Sequence, residues 1–360
     1  MGPLPTRHSP GTGSPTASGT LSAMDDLDLP ELPPFAEGRY HPLLGTDVRI
    51  QVWADDQAAA QAAEQAALAE MVRLQDIFSI FEPTSELSRW RRGEIQHASE
   101  DLLAALREAR QWFVEGDGTF HPASRPLQER WRRAASEGVL PDRAEMQGMA
   151  DRLRELPWRK DPLTGSEEQV GDCSSADLNA FVKGWIVDRA VEVAINPPHE
   201  AERVGVNAGG DLRHHGSGTW RVGVEDPLHP SDNRANRLCM VGLSNAGMAT
   251  SGFARRGFRV GERWFGHVID PRTGWPVQHL AQVSIVTPDA GSADALATIC
   301  GVLAIEESLA LIEGREGCEC LLVDATGGQH PSSGWATLTL DELGNVGASR
   351  GAGEGYTRGR

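Results

Sequence analysis

His267 and Asp270 frame the short apolar pair Val268 and Ile269, and Pro271 and Gly274 follow at positions that turn the chain. An imidazole held at the mouth of a rigid turn, with an ordinary pKa of about 6.5, is suited to take a proton from a hydroxyl. Asp270 either orients that ring or serves the Asp-Pro turn alone, and plain turn chemistry is the alternative for the whole stretch Trp264 to Pro276. Asp294 and Thr298 form a second pair. In a helix running from Gly291 to Ile312 they lie one turn apart on one face, and a carboxylate with a hydroxyl offers the hard oxygens that Mg²⁺ takes. The competing reading gives Asp294 to the helix dipole and Thr298 to the helix backbone. Ser251 has no G-x-S-x-G elbow around it, so its role is ligand-binding or structural rather than nucleophilic.

These residues need a scaffold, and the hydrophobic pattern supplies one. His41 to Trp53 alternates, through Val48 to Val52, as a strand, and Asp56 to Ile80 has helical spacing with many alanines. Further helices are expected at Asp101 to Phe113, Leu127 to Ala135, Arg143 to Leu156 and, capped by Asp177, up to Ile195; Ser85 is expected to cap another. On the bare pattern that Asp177-capped helix carries Lys183 as a solvated lysine. Strands are expected at Val204 to Asn207, Trp220 to Asp226, Leu238 to Leu243, Met248 to Ser251, Ser284 to Thr287, Glu319 to Asp324 and Thr337 to Leu340. Gly209 and Gly210 after a strand permit close backbone approach to a ligand, but there is neither a G-x-G-x-x-G nor a P-loop. His214 and His215, adjacent in sequence, are expected at the surface.

The 360 residues can bury a large core. A net charge of −17 repels nucleic acid and anionic membrane, so no nucleic-acid role is expected. Five cysteines without metal-type spacing point to reduced thiols. Cys318 and Cys320, close together in one strand, are poor disulfide partners. No apolar run approaches the roughly 18 residues of a membrane span, and no leader or lipid-accepting cysteine opens the chain, so no membrane anchor and a cytoplasmic location are expected. Residues 1–36 read as a disordered Gly/Ser/Pro-rich and acidic tail, 37–345 as one catalytic unit and 346–360 as a frayed end.

Several ordered motifs resemble those of the ApbE family, the FAD:protein FMN transferases. They are Leu44-Gly45-Thr46, Ser79-Ile80-Phe81 with Ser85-Glu86-Leu87-Ser88, Asp117-Gly118-Thr119-Phe120, Asp177-Leu178-Asn179-Ala180-Phe181-Val182-Lys183-Gly184, Thr250-Ser251-Gly252, His267-Val268-Ile269-Asp270-Pro271, and the segment holding Asp294 and Thr298. Leu44 replaces the family's methionine, Phe81 its tyrosine and His121 an aspartate. The resemblance implies an α+β fold with a mixed β-sheet flanked by helices. It also implies transfer of FMN from FAD to a Ser/Thr hydroxyl of an acceptor protein with release of AMP. It places FAD against Leu44, Phe81, Gly116, Asp117, Gly118, Asp177, Lys183, Ser251, Val268 and Ile269. It places Mg²⁺ on the Ala180 carbonyl, Asp294 and Thr298, with His267 as general base. Two alternatives are an FAD pyrophosphatase and a flavin-binding protein without catalysis; keeping His267, Asp294 and Thr298 argues against the second.

Overall fold

Val48, Ile50 and Val52 bury one face of a strand, as their alternation requires, and the computed structural model pairs that strand on both sides. The structure describes residues 6–7, 33–95, 97–162, 164–229, 237–253 and 256–341. The expected tail and frayed end lie outside the described residues, apart from 6–7 and 33–36. Strand β1 (Thr6–Arg7) pairs with β2 (Phe35–Leu43), and β2 with β3 (Thr46–Trp53). The one strand expected over His41 to Trp53 is instead the end of β2 and the whole of β3, divided by the turn at Leu44 and Gly45, whose φ values are 53° and 71°.

Helices α1 (Gln57–Phe78), α2 (Glu86–Arg91) and α3 (Glu100–Glu115) follow, capped by the side chains of Asp56, Ser85 and Ser99. Next come α4 (Arg125–Glu137), α5 (Arg143–Asp151) and a ribbon of β4 (Trp158–Lys160) and β5 (Glu167–Gln169). Helix α5 stops short of the expected Leu156, since the Leu153 N–H turns back onto the Ala150 carbonyl at 2.8 Å. Helix α6 (Val182–Ile195) leads into β6 (Arg203–Ala208), β7 (Asp211–Gly216), β8 (Trp220–Glu225), β9 (Arg237–Leu243) and β10 (Gly247–Gly252). A hairpin of β11 (Gly257–Val260) and β12 (Arg263–Gly266) precedes β13 (Leu280–Thr287). The chain closes with α7 (Ala290–Cys300), α8 (Ile305–Glu313), β14 (Glu319–Asp324), β15 (Gln329–Pro331), α9 (Trp335–Leu338) and β16 (Thr339–Leu340).

The single helix expected over Gly291 to Ile312 is therefore two. Gly301 ends α7 with its N–H on the Ala297 carbonyl at 3.1 Å, and α8 restarts where Glu307 accepts from the Ala304 N–H at 3.1 Å. Of the strand expected at Thr337 to Leu340, only the last two residues are extended; the rest belongs to α9.

The central sheet runs β1-β2-β3-β6-β7-β10-β13-β14-β15, and each of these pairings is antiparallel. The α+β class is as expected, with helices mixed among antiparallel sheets. One sheet face packs under α1, α3, α6 and α7 through Ile50, Val206, Ala249, Val283 and Leu322. The other face packs on the small sheet β16-β9-β8 through Leu212, Met248 and Val323. No helix among the described residues is long and apolar enough to cross a membrane, and all five cysteines are free.

Helices α6 and α7 approach so closely that a Cβ on Gly184 would sit 2.1 Å from the Ala290 carbonyl oxygen. Real side chains do not tolerate that distance, so Gly184→Ala must push the helices apart. We expect it to lower unfolding free energy by about 3 kcal/mol or more, measured by urea denaturation. A loss below about 0.5 kcal/mol would show that the helices do not pack this closely.

Candidate active site

The geometry starts at the beginning of α6. Asp177, expected to cap this helix, lies ahead of it: its carboxylate accepts from the Asn179 N–H at 3.0 Å, and its own N–H donates to the Pro122 carbonyl at 2.7 Å. An Asx turn takes the cap's place, and α6 begins only at Val182. The chain through Ala180 is consequently not helical, and the Ala180 carbonyl accepts from the Thr298 hydroxyl at 3.1 Å. Two of the three expected metal ligands are thus in direct contact. The third, Asp294, lies one turn earlier on α7 and accepts from the Gly184 N–H at 3.4 Å, at the positive end of α6.

Lys183, in the first turn of α6, pairs with Asp211 at the start of β7. It is therefore not the solvated lysine of the sequence reading. The turn that sets Asp211 there is Gly209-Gly210, with φ of 64° and 107°, conformations that favour glycine. A Cβ on Gly209 would also collide with Thr46 Oγ1 at 2.2 Å. Asp188, further along α6, accepts from the Ala290 and Gly291 N–H groups at 2.9 and 2.8 Å and so ties α6 to the start of α7. Burial pushes Asp188 up to about 7.

Two carboxylates and one ammonium are thus buried together. Burial, and next the Asp211 carboxylate, drive Asp294 well above the usual carboxylate range, against Lys183 and the Gly184 N–H. Burial alone would lower Lys183, but Asp211 and Asp294 outweigh it and hold the ammonium above its ordinary value. The cluster carries one negative charge too many for its surroundings. A carboxylate in that position, beside a hydroxyl and a carbonyl outside regular helix, fits a hard cation.

His267 comes from the β11–β12 hairpin. It follows β12, its N–H donates to the Arg256 carbonyl at 3.1 Å, and the Phe253 ring lies 6.2 Å away, edge-on. Burial, then the Arg256 guanidinium, and more weakly Lys183, push the imidazole down to about 4, so it is neutral at neutral pH. Asp270 does not orient it. That carboxylate holds Arg272 through its backbone N–H and guanidinium at 2.9 to 3.1 Å, and the Asp270 carbonyl accepts from the Gly274 N–H at 2.8 Å. His267 Nδ1 is buried with no hydrogen-bond partner among the described residues.

The turn from Asp270 to Trp275 rests on a separate aromatic cluster. Trp131 of α4 is fully buried, donates from Nε1 to the Gly274 carbonyl at 2.8 Å, and packs tilted against Phe265 at 4.9 Å and edge-on to Trp275 at 5.1 Å. Ile269 is buried in this cluster, and Val268 packs against the main core.

The expected flavin residues divide into two groups. Gly116 ends α3, and Gly118 lies so near the turn that a Cβ would meet Arg272 Cγ at 3.3 Å. Asp117, Gly118, Pro271 and Arg272 line one cleft of about 460 Å³ with Phe113 and Leu153. With the Asp177–Pro122 bond, this loop links both halves of the site. Ser251 shares a sheet face with Ala249, the face under α7, by strand alternation. Leu44 and Phe81 are not joined to this ring by a hydrogen bond or ion pair among the described residues. Leu44 forms a two-residue hairpin turn with Gly45, its N–H on Gln75 at 2.7 Å; the Phe81 ring is 80% exposed.

His121 is buried, accepts from the Ala123 N–H at 3.0 Å and packs edge-on to Phe113, a structural placement. His214 corrects the surface expectation. It is 2% exposed, accepts from the Asn245 N–H at 3.3 Å, and burial lowers it to about 4. Asp211, Asp188 and Arg256 were not recognised as site residues. Gly-Gly-Asp after a strand was the available signal for Asp211; nothing in the sequence marked the other two.

A family model described as "ApbE family" matches residues 44–322. An FAD:protein FMN transferase of Klebsiella pneumoniae is 25% identical, over 78% of this chain and 87% of the relative. One of Haemophilus influenzae is 27% identical, over 83% and 90%. The crystal structure of an ApbE protein from Thermotoga maritima superposes with a TM-score of 0.73 at 26% identity, over 85% of this chain and all of that one.

An NMR titration of the His267 ring should show it neutral from pH 8 down to about 5, with its midpoint near 4; a midpoint at or above 6.5 would contradict its burial beside two cations. Trp131→Phe removes one buried hydrogen bond and should cost about 1 to 3 kcal/mol in thermal unfolding. An unchanged midpoint would mean that Trp131 does not brace the turn.

Proposed function

The chain belongs to the ApbE family, and we propose that it transfers FMN from FAD to a Ser or Thr hydroxyl of an acceptor protein and releases AMP. The observation that carries this reading is the buried, over-negative cluster of Lys183, Asp211 and Asp294, with the neutral imidazole of His267 near enough to feel the Lys183 charge. The relatives named FAD:protein FMN transferase support the same chemistry. The catalytic unit is assigned to residues 37–345.

In the reaction the acceptor hydroxyl oxygen forms a bond to the FMN-side phosphorus. The bond from that phosphorus to the oxygen shared with AMP breaks, and its electron pair leaves with AMP. The hydroxyl proton passes to a ring nitrogen of His267, which is free to accept it because the ring is neutral. A ring lowered to about 4 is a weak base when no substrate is present. A diphosphate beside it raises its proton affinity, by the rule that a nearby opposite charge favours the charged form. Asp294, Thr298 and the Ala180 carbonyl would hold Mg²⁺ in this reading, and the metal would supply positive charge for a bound diphosphate. Lys183 keeps Asp211 neutralised and marks the inner end of the site. Asp117, Gly118 and Asp177 line the approach for FAD, with Ser251, Val268 and Ile269 around the base. Leu44 and Phe81 are given to FAD in this reading by the family resemblance alone.

Purified protein with FAD, Mg²⁺ and a peptide carrying a Ser/Thr acceptor should release AMP and leave flavin covalently on the peptide. His267→Ala should lower kcat by about 10²- to 10⁴-fold, and Asp294→Ala should abolish the response to Mg²⁺. AMP release without any acceptor would replace this reading by FAD hydrolysis. FAD bound without turnover would leave only a flavin-binding protein.

A further inference from the structure

Arg256 is exposed, and no carboxylate among the described residues pairs with its guanidinium. The other described arginines of this segment are engaged. Arg259 lies over Trp264, Arg263 over Phe265, and Arg272 is held by Asp270. Arg256 has a defined place nonetheless. Gly257 pairs with Gly266 at the end of the β11–β12 ladder, and the bond from the His267 N–H to the Arg256 carbonyl extends that ladder by one pair. Arg256 and His267 are therefore cross-strand neighbours, with Cβ atoms roughly 5 Å apart on one side of the ribbon.

The position of the base fixes where phosphorus must be. A base nitrogen stands about 3 Å from the oxygen it deprotonates, and that oxygen stands about 3 to 3.5 Å from the atom it attacks. The attacked phosphorus thus lies on the order of 6 Å from the His267 ring, within reach of a guanidinium anchored beside it. Charge on the non-bridging oxygens needs a cation there. Lys183 is already bound by Asp211. We propose that Arg256 contacts the non-bridging oxygens of the FMN-side phosphoryl group and stabilises them as the acceptor oxygen attacks. This rests on the transferase reading above. The planar fork of arginine suits two phosphate oxygens at once.

The test compares the full chain with Arg256→Met and Arg256→Lys in two assays. One is flavin transfer to the acceptor peptide; the other is binding of inorganic pyrophosphate, measured by its displacement of FAD. Arg256→Met should lower kcat about 10²-fold and weaken pyrophosphate binding about tenfold, with an unchanged unfolding midpoint. Arg256→Lys should recover part of both, and millimolar guanidinium should restore part of the Met variant's rate. Unchanged kcat and pyrophosphate affinity in Arg256→Met would overturn the contact, as would a loss of rate that follows a fallen unfolding midpoint and ignores guanidinium. If the wild type transfers no flavin yet the Met variant alone loses pyrophosphate, the phosphate contact stands and the transferase reading falls.

Discussion

Burying two carboxylates with one ammonium is the constraint on which the rest of this structure depends. An unpaired charge taken out of water costs several kcal/mol unless a partner answers it, and here Lys183 answers Asp211 and leaves Asp294 short. The surrounding architecture exists to hold that arrangement in place. Gly184 lets α6 touch α7, Asp188 ties the two helices at the start of α7, and the Gly209-Gly210 turn sets Asp211 opposite Lys183. A cluster with this surplus is poorly suited to be plain core and well suited to receive a cation and the phosphates that accompany it.

His267 is supported separately. His267 leaves a hairpin whose inner face is packed on Trp131 and its aromatic neighbours, a core distinct from the one under α6 and α7. The two halves are tied together by the Asp177–Pro122 bond and by the close packing of Gly118 on Arg272. Two independently packed supports keep the Lys183–Asp211–Asp294 cluster and His267 at fixed separation, which the proposed in-line displacement at phosphorus requires.

Local signals in the sequence were followed where tertiary contact did not compete. The long alanine-rich helix α1 and the Ser85 cap are set by spacing and side-chain oxygens alone, and both stand as read. The pairing of Asp294 with Thr298 followed from helical geometry. The start of α6 did not, because Asp177 had two local uses, cap or Asx turn, and a distant carbonyl, Pro122, decided between them. His214 looked like a surface residue because its burial under Trp220, 6.5 Å away, comes from a strand later in sequence. Asp270 could not be assigned between ring and turn until Arg272 was seen to occupy it. The clustering of Asp211 and Asp294 around Lys183 is a property of sheet order, which no local pattern encodes.

The most direct measurement is calorimetric titration of Mg²⁺ into the purified chain and into Asp294→Asn, each without flavin. The account predicts saturable Mg²⁺ binding to the wild type that raises its unfolding temperature. In the Asn variant binding should be lost, and the metal-free protein should be no less stable than the wild type, since the surplus charge is gone. Mg²⁺ binding that survives Asp294→Asn, or a wild type that binds none, would contradict it.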